Sequence, residues 1–190
     1  MEANGETKTE AAQHSMSNQS LPDMGGSAPI AIVGIGTRLP GGVNSVPSMY
    51  EFLREKKDGL REVPLSRFNI AGFHNDGDVA YSMRQQKSYF LNEDISKMDA
   101  AFFGSSEMET AGSDPRARLL LEVVYECLEN AGKTRYRGEK IGCYVGAWGV
   151  DWSELTLKDG QQRNPMIGAA AGSFFLSSYI AWNLDLRGPT

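Results

Sequence analysis

The sequence predicts an α/β domain, and three stretches carry that expectation. Ile30-Ala31-Ile32-Val33 is a short continuous apolar run of the kind found in buried strands. Ile141, Cys143 and Val145 alternate within I-G-C-Y-V-G-A, the period-two pattern of a strand with one buried face. Between them lies the clearest helix of the chain. Asp114 suits its N-cap, because a carboxylate accepts from the free amides of the first turn. Pro115 follows at N1, where a missing N–H costs nothing. Leu119, Leu120, Val123, Cys127 and Leu128 recur at helical spacing, and Gly132 sits where a left-handed residue would end the helix.

Taken in order, Met1–Ala28 reads as a disordered leader, with one lysine against Glu2, Glu6, Glu10 and Asp23 and almost no aliphatic side chains. A docking role for it is conceivable. The fold is expected to occupy residues 29–190 as one domain. After the Ile30–Val33 strand comes Gly34-Ile35-Gly36, which invites comparison with a dinucleotide fingerprint. Leu39 stands where the third glycine should be and Pro40 follows, so no phosphate-binding helix starts there. The simpler reading is a strand that ends in a tight turn.

Ser48–Lys57 has helical spacing at Met49, Phe52 and Leu53, with Ser48 as N-cap after Pro47. Arg67 could mark an anion site, but an arginine pairing with a carboxylate at a buried edge is the better expectation. Asn69–Gln86 is rich in turn formers, and His74 within it is expected to be exposed rather than catalytic. Asp76 and Asp78 do not complete a calcium loop, since no glutamate follows at the required distance. Ala100–Phe103 is an apolar knot, followed by a small polar linker to the Asp114 helix. Lys133–Lys140 makes a solvated basic connection. Met166–Trp182 is the most apolar part of the chain, and a buried helix or a dimer-interface segment fits it.

Composition narrows the function classes. The chain has 190 residues, 41% hydrophobic and 23% charged, with a formal net charge of -5. That balance argues against nucleic acid or an anionic membrane as the main partner. No apolar run approaches the roughly 20 residues of a membrane helix. The start of the chain lacks the apolar core of a signal peptide, so a reducing, cytoplasmic setting is expected. Cys127 and Cys143 belong to no metal or redox motif, and Cys143 reads as a small apolar core residue rather than a nucleophile.

Several strings resemble one family. F-F-G-x-S-x-x-E followed by D-P-x-x-R-L-L-L-E-V-x-Y-E-x-L-E-N-A-G is similar to the signature of a β-ketoacyl synthase (ketosynthase) domain of a polyketide synthase. I-A-I-V-G-I-G-T-R-L-P-G-G resembles the opening of such domains. Pro64, Arg67 and Phe68 match a P-x-x-R-[WF] segment, and Ser88–Leu91 resembles a short G-x-F-L strand. Trp148–Gly160 resembles the fungal, highly reducing branch. The resemblance implies a thiolase-like αβαβα sandwich, of which this chain would be an incomplete N-terminal half.

The family's reaction is a decarboxylative Claisen condensation of acyl thioesters in secondary-metabolite biosynthesis. A cysteine at a helix N-terminus takes the acyl chain, and two histidines assist. The chain finishes in Asp185-Leu186-Arg187-Gly188-Pro189-Thr190, which in the family comes just before the D-T-A-C-S-S string bearing that cysteine. None of Cys127, Cys143 and His14 can replace the three groups. The resemblance therefore implies no catalytic, cofactor-binding or metal-ligating residue among these 190, and no cofactor. The parent enzyme would use a phosphopantetheine-bound acyl carrier protein. The expected partner is the remainder of a ketosynthase, or a second ketosynthase copy met through segment 166–182; nucleic acid and membrane are not expected. The alternative is a non-catalytic module docking on an intact ketosynthase. Two departures stand out: Ser113 to Arg118 replaces the family's M-D-P-Q-Q-R, and Ser178–Trp182 replaces N-R-[IV]-S-[YW]. Both would remove polar contacts near the expected dimer and active-site region.

Overall fold

The computed structural model describes residues 29–158 and 175–190. The chain divides into two compact units, Met1–Ala31 and Ile32–Thr190. The described helices and strands all lie in the second. The leader reading on residues 1–28, and the part of the apolar segment over residues 166–174, lie outside the described residues.

Helix α1 spans Val46–Arg54. Its N-cap is Ser45, whose hydroxyl accepts from the Ser48 amide, while the Ser48 hydroxyl accepts from the Ser45 amide at 3.0 Å. Ser48, expected as the cap, is thus the third helical residue of a capping box. The cap lies three residues earlier than the sequence suggests because Pro47 fits the first turn, where amides have no acceptor within the helix. It also stops before Lys57, since Lys56 is left-handed at φ 53. Strand β1 (Leu60–Glu62) pairs antiparallel with β2 (Lys87–Tyr89), Leu60 opposite Tyr89. This two-stranded ribbon is the sheet formed among the described residues. A short 3₁₀ turn at Ile70–Gly72 lies between the strands, capped by Asn69.

The segment expected as a small polar linker contains a helix, α2 (Glu107–Gly112). Ser106 caps it and Glu109 reaches back to the Ser106 amide at 2.8 Å. Ser106-x-x-Glu109 is the sequence signature of that box, and reading the stretch by its low apolar content alone hides it.

Helix α3 (Pro115–Asn130) begins and ends as its sequence requires. The Asp114 carboxylate accepts from the Arg116 amide at 2.8 Å, and Gly132 is left-handed at φ 68. It packs against α5 (Leu176–Leu184). The core between them holds Leu121, Ile180, Ala181 and Leu184, joined by Cys143 and Leu186, with Phe103, Leu120, Val124 and Leu128 around the edge. Helix α4 (Asp151–Lys158) sits between α3 and α5 in chain order.

The two expected strands are the main correction. Ile30–Val33 forms no strand, and Ile30, Ile32 and Val33 are 94%, 83% and 74% exposed. No neighbouring strand among the described residues takes up its hydrogen bonds, so apolar content alone cannot make it one. Ile141–Ala147 likewise forms no regular strand, although its alternation holds: Cys143 is buried while Tyr144 is 80% exposed. The layered sandwich is accordingly not built up among the described residues.

Gly34 and Gly36 have a role that neither a turn nor a phosphate loop predicts. A Cβ on Gly36 would lie 2.3 Å from the Val123 carbonyl oxygen, and one on Gly34 would lie 2.5 Å from that of Cys127. The two glycines let this segment seat directly on the backbone of α3. The Ile35 amide donates to Asn130 Oδ1 at 3.0 Å on the same face. The apolar stripe of α3 is therefore divided, with Leu120, Val124 and Leu128 toward α5 and the backbone of Val123 and Cys127 under the glycines.

Candidate functional site

The most elaborate polar centre gathers at the start of α3. Asp114 is 2% exposed. Besides capping the helix, its carboxylate accepts from Arg116 Nε at 3.1 Å and 3.0 Å and from Nη2 at 2.6 Å. The remaining nitrogen of that guanidinium donates to the carbonyls of Trp148 and Gly149, at 2.6 and 3.1 Å. Trp152 Nε1 donates to the Gly112 carbonyl at 3.2 Å. Arg116 and Trp152 together fasten the segment leading into α4 onto the α2–α3 junction. From sequence, Arg116 and Ala117 are expected to remove polar contacts here. In the structure Arg116 makes new ones, because its fork reaches a carboxylate and two carbonyls at once.

Arg118 lies one turn further, 6% exposed. Its Nη1 donates to the carbonyls of Ser96 and Thr110, at 3.2 and 3.1 Å, which ties the incoming loop and α2 to α3. Burial pulls its pKa below the usual guanidinium value, opposed by the nearby Asp114 charge. Further along α3, Arg38 pairs with both oxygens of Glu126. That hydrogen bond holds the Arg38 pKa up, and burial pushes the neighbouring Glu122 carboxyl up as well. Both arginine centres join distant segments of chain, and neither presents a nucleophile.

The residues weighed from sequence disperse. Cys143 is buried in the core, and desolvation pushes its thiol up, the wrong direction for a nucleophile. Cys127 is half-buried on α3. Arg67 donates to the backbone carbonyls of Leu91 and Glu93, at 3.4 and 3.3 Å, instead of pairing with a carboxylate. Carbonyls rather than an acid are what the adjoining loop turns toward it. His74 is not simply exposed, since its side chain is 22% accessible. Nδ1 donates to the Met83 carbonyl at 3.2 Å and Nε2 accepts from the Gln86 amide at 2.7 Å, so the ring clasps the two ends of the turn-rich loop. His14 lies outside the described residues. Among the described residues no three His, Cys, Asp or Glu side chains are placed to hold a metal ion. An apolar groove of about 480 Å³ between α1 and β2, lined by Leu39, Met49, Phe52 and Tyr89, has Lys57 and Asp58 at its rim.

The C-terminal residues are held closely. Asp185 is left-handed at φ 51 and ends α5, and Leu186 donates back to Ala181 at 2.8 Å. Arg187 then donates to the Glu139 carbonyl at 2.8 Å, and Cys143 to the Pro189 carbonyl at 2.8 Å. The D-L-R-G-P string thus lies alongside the Ile141–Ala147 segment.

The family model described as Beta-ketoacyl synthase, N-terminal domain, matches residues 27–190. The chain is 42% identical over 165 residues to Highly reducing polyketide synthase ntnH of Nectria sp, covering 87% of this chain and 7% of that protein. It is 40% identical over 164 residues to Highly reducing polyketide synthase gloL of Glarea lozoyensis, covering 85% and 6%. The chain therefore spans only about 7% of the length of such relatives. Among solved structures, a point mutant of the ketosynthase from module 6 of the bacillaene synthase of Bacillus subtilis superposes with a TM-score of 0.69 at 24% identity, covering 84% of this chain and 26% of that one. An oxazolomycin ketosynthase domain of Streptomyces albus gives 0.62 at 25% identity, covering 84% and 28%. The backbone is that of part of a ketosynthase, and the chain belongs to the β-ketoacyl synthase family, whose N-terminal domain its residues 27–190 match.

Proposed function

We propose that these residues are the opening part of the ketosynthase domain of a fungal highly reducing polyketide synthase. In the intact enzyme that domain extends acyl chains by decarboxylative Claisen condensation, and the thiolase-like αβαβα sandwich is completed by the chain beyond these residues. The observation that carries the reading is the 42% identity to a highly reducing polyketide synthase over 165 residues, in a chain whose residues 27–190 match the β-ketoacyl synthase N-terminal domain. The setting is the cytoplasm; among the described residues no helix is long and apolar enough to cross a membrane.

The 190 residues alone do not condense acyl groups. The reaction needs a thiolate that can be acylated. Cys143 is buried with its thiol pushed up, and Cys127 is half-buried against the Gly34 segment. Neither suits transfer from the phosphopantetheine arm of a carrier protein, so no step runs through that arm on these residues. The partner is the remainder of a ketosynthase. A module that docks on a second copy through segment 166–182 has less support, because Leu176, Ile180 and Ala181 are buried in this chain's own core.

The test compares the 190-residue chain with a version extended to a complete ketosynthase, each incubated with an N-acetylcysteamine acyl thioester and mapped by mass spectrometry. The extended protein should be acylated on a cysteine beyond these residues, and the short chain should stay unmodified. Acylation of Cys127 or Cys143, or an extended protein that takes up no acyl group, would overturn the reading.

A further inference from the structure

The path out of α5 is set by a contact with no slack. Residues 187–189 run beside residues 139–143 in the same direction. Arg187 donates to Glu139 at 2.8 Å, Gly188 to Ile141 at 3.1 Å, and Cys143 to Pro189 at 2.8 Å. At the middle of this ladder, a Cβ on Gly188 would lie 2.3 Å from the Ile141 carbonyl carbon and 2.4 Å from the Gly142 nitrogen. Those are backbone atoms and cannot rotate aside. Gly188 is outside the left-handed region, so the demand is for space and not for backbone freedom. The ladder is anchored on both sides. Leu186 and Cys143 are each 8% exposed in the core, and Gly138 donates to the Asp185 carbonyl at 2.6 Å.

We propose that Gly188 is a positioning residue for the condensation: its contact with Ile141 and Gly142 sets the register of the chain that goes on to present the acylated cysteine. This rests on the ketosynthase reading above. Any side chain at 188 must lift the Gly188–Pro189 backbone off Ile141, by the roughly 1 Å between the distance a Cβ would have and ordinary contact. The displacement passes directly to whatever follows Thr190. Misplacing a reacting group by about 1 Å costs on the order of 100-fold in rate.

The experiment uses the full-length synthase that contains these residues, as wild type, Gly188→Ala and Pro189→Gly. Three quantities are read: the rate of cysteine acylation by an N-acetylcysteamine thioester, the pH profile of alkylation of the same thiol by iodoacetamide, and the thermal melt. Gly188→Ala should acylate ten- to hundred-fold more slowly, with the alkylation profile moved to higher pH, because the thiol has shifted from the group that activates it. Pro189→Gly keeps room at 188 and the carbonyl at 189 but loosens the ladder; it should slow acylation several-fold while remaining folded. Folded Gly188→Ala that acylates and alkylates like wild type overturns the proposal. If Gly188→Ala does not fold, Pro189→Gly decides, and wild-type acylation there overturns it too. A wild-type synthase that takes up no acyl group overturns the ketosynthase reading itself, and this inference with it.

Discussion

The Asp114 carboxylate caps α3 and grips the Arg116 guanidinium at 2.6 Å, while that guanidinium also holds the Trp148 carbonyl at 2.6 Å. One acidic side chain thereby links the start of the main helix to the segment that enters α4, far along the chain. The pair is asymmetric, with the Asp114 side chain 3% and the Arg116 side chain 31% accessible. Its cost when broken falls mainly on the buried acid's site.

Asp114→Ala should destabilise the Ile32–Thr190 unit by about 2 kcal/mol, from the lost cap and the unpaired guanidinium together. Asp114→Ser keeps a capping oxygen and should recover roughly half of that. Urea unfolding of the two variants, followed by far-ultraviolet circular dichroism, distinguishes the cap from the ion pair. Equal losses would mean that the cap contributes nothing.

Gly36→Ala should be costly although alanine is a better former of regular structure. Its Cβ would meet the Val123 carbonyl oxygen at 2.3 Å, and that oxygen belongs to the backbone of α3. The expected loss is about 1–3 kcal/mol, the range for overpacking. Gly72→Ala, where nothing lies within 4 Å of the added atom, is the matched control and should be near neutral. Thermal melts of both variants test the comparison.

Glu122 makes stability fall as pH rises. Burial holds its carboxyl above the usual carboxylate value, with Glu126 adding to the shift and Arg38 opposing it. The folded state therefore binds this proton more tightly than the unfolded chain does. Its contribution is full below the unfolded value and is lost as pH climbs through the folded one. Glu122→Gln should raise stability at pH 7 and change it little at pH 4. Urea midpoints at the two pH values check the sign, and a loss at pH 7 would refute it.

Cys143 should be protected from alkylation in the folded chain. It is 8% exposed, desolvation pushes its thiol up, and its amide is bonded to Pro189. Iodoacetamide at pH 8 should modify it only as fast as the core opens, whereas Cys127, half-buried, should react sooner. Peptide mapping over a time course measures both rates, and prompt labelling of Cys143 would contradict the burial.

Local chemistry alone determined much of this protein. The Asp114–Pro115 start of α3, its end at Gly132, the turn-rich loop and the inward alternation of Ile141, Cys143 and Val145 all follow from short-range rules. Caps and turns are satisfied by neighbours in sequence, so a sequence displays them. The box of Ser106 and Glu109 was equally legible and was hidden only by its weakly apolar setting. The family, too, was legible, because its strings survive in order along the chain.

Only the tertiary structure decided what distant segments do to one another. Ile30–Val33 has the composition of a strand, but a strand exists only where a partner accepts its hydrogen bonds. Gly34 and Gly36 looked like turn residues, and their use is to bring a backbone onto α3. Arg116 looked like a lost contact and proved to be a bridge. Gly188 gave no sign that its missing side chain is the space Ile141 occupies. In each case the deciding atom lies on a segment remote in sequence, and folding brings it within contact distance.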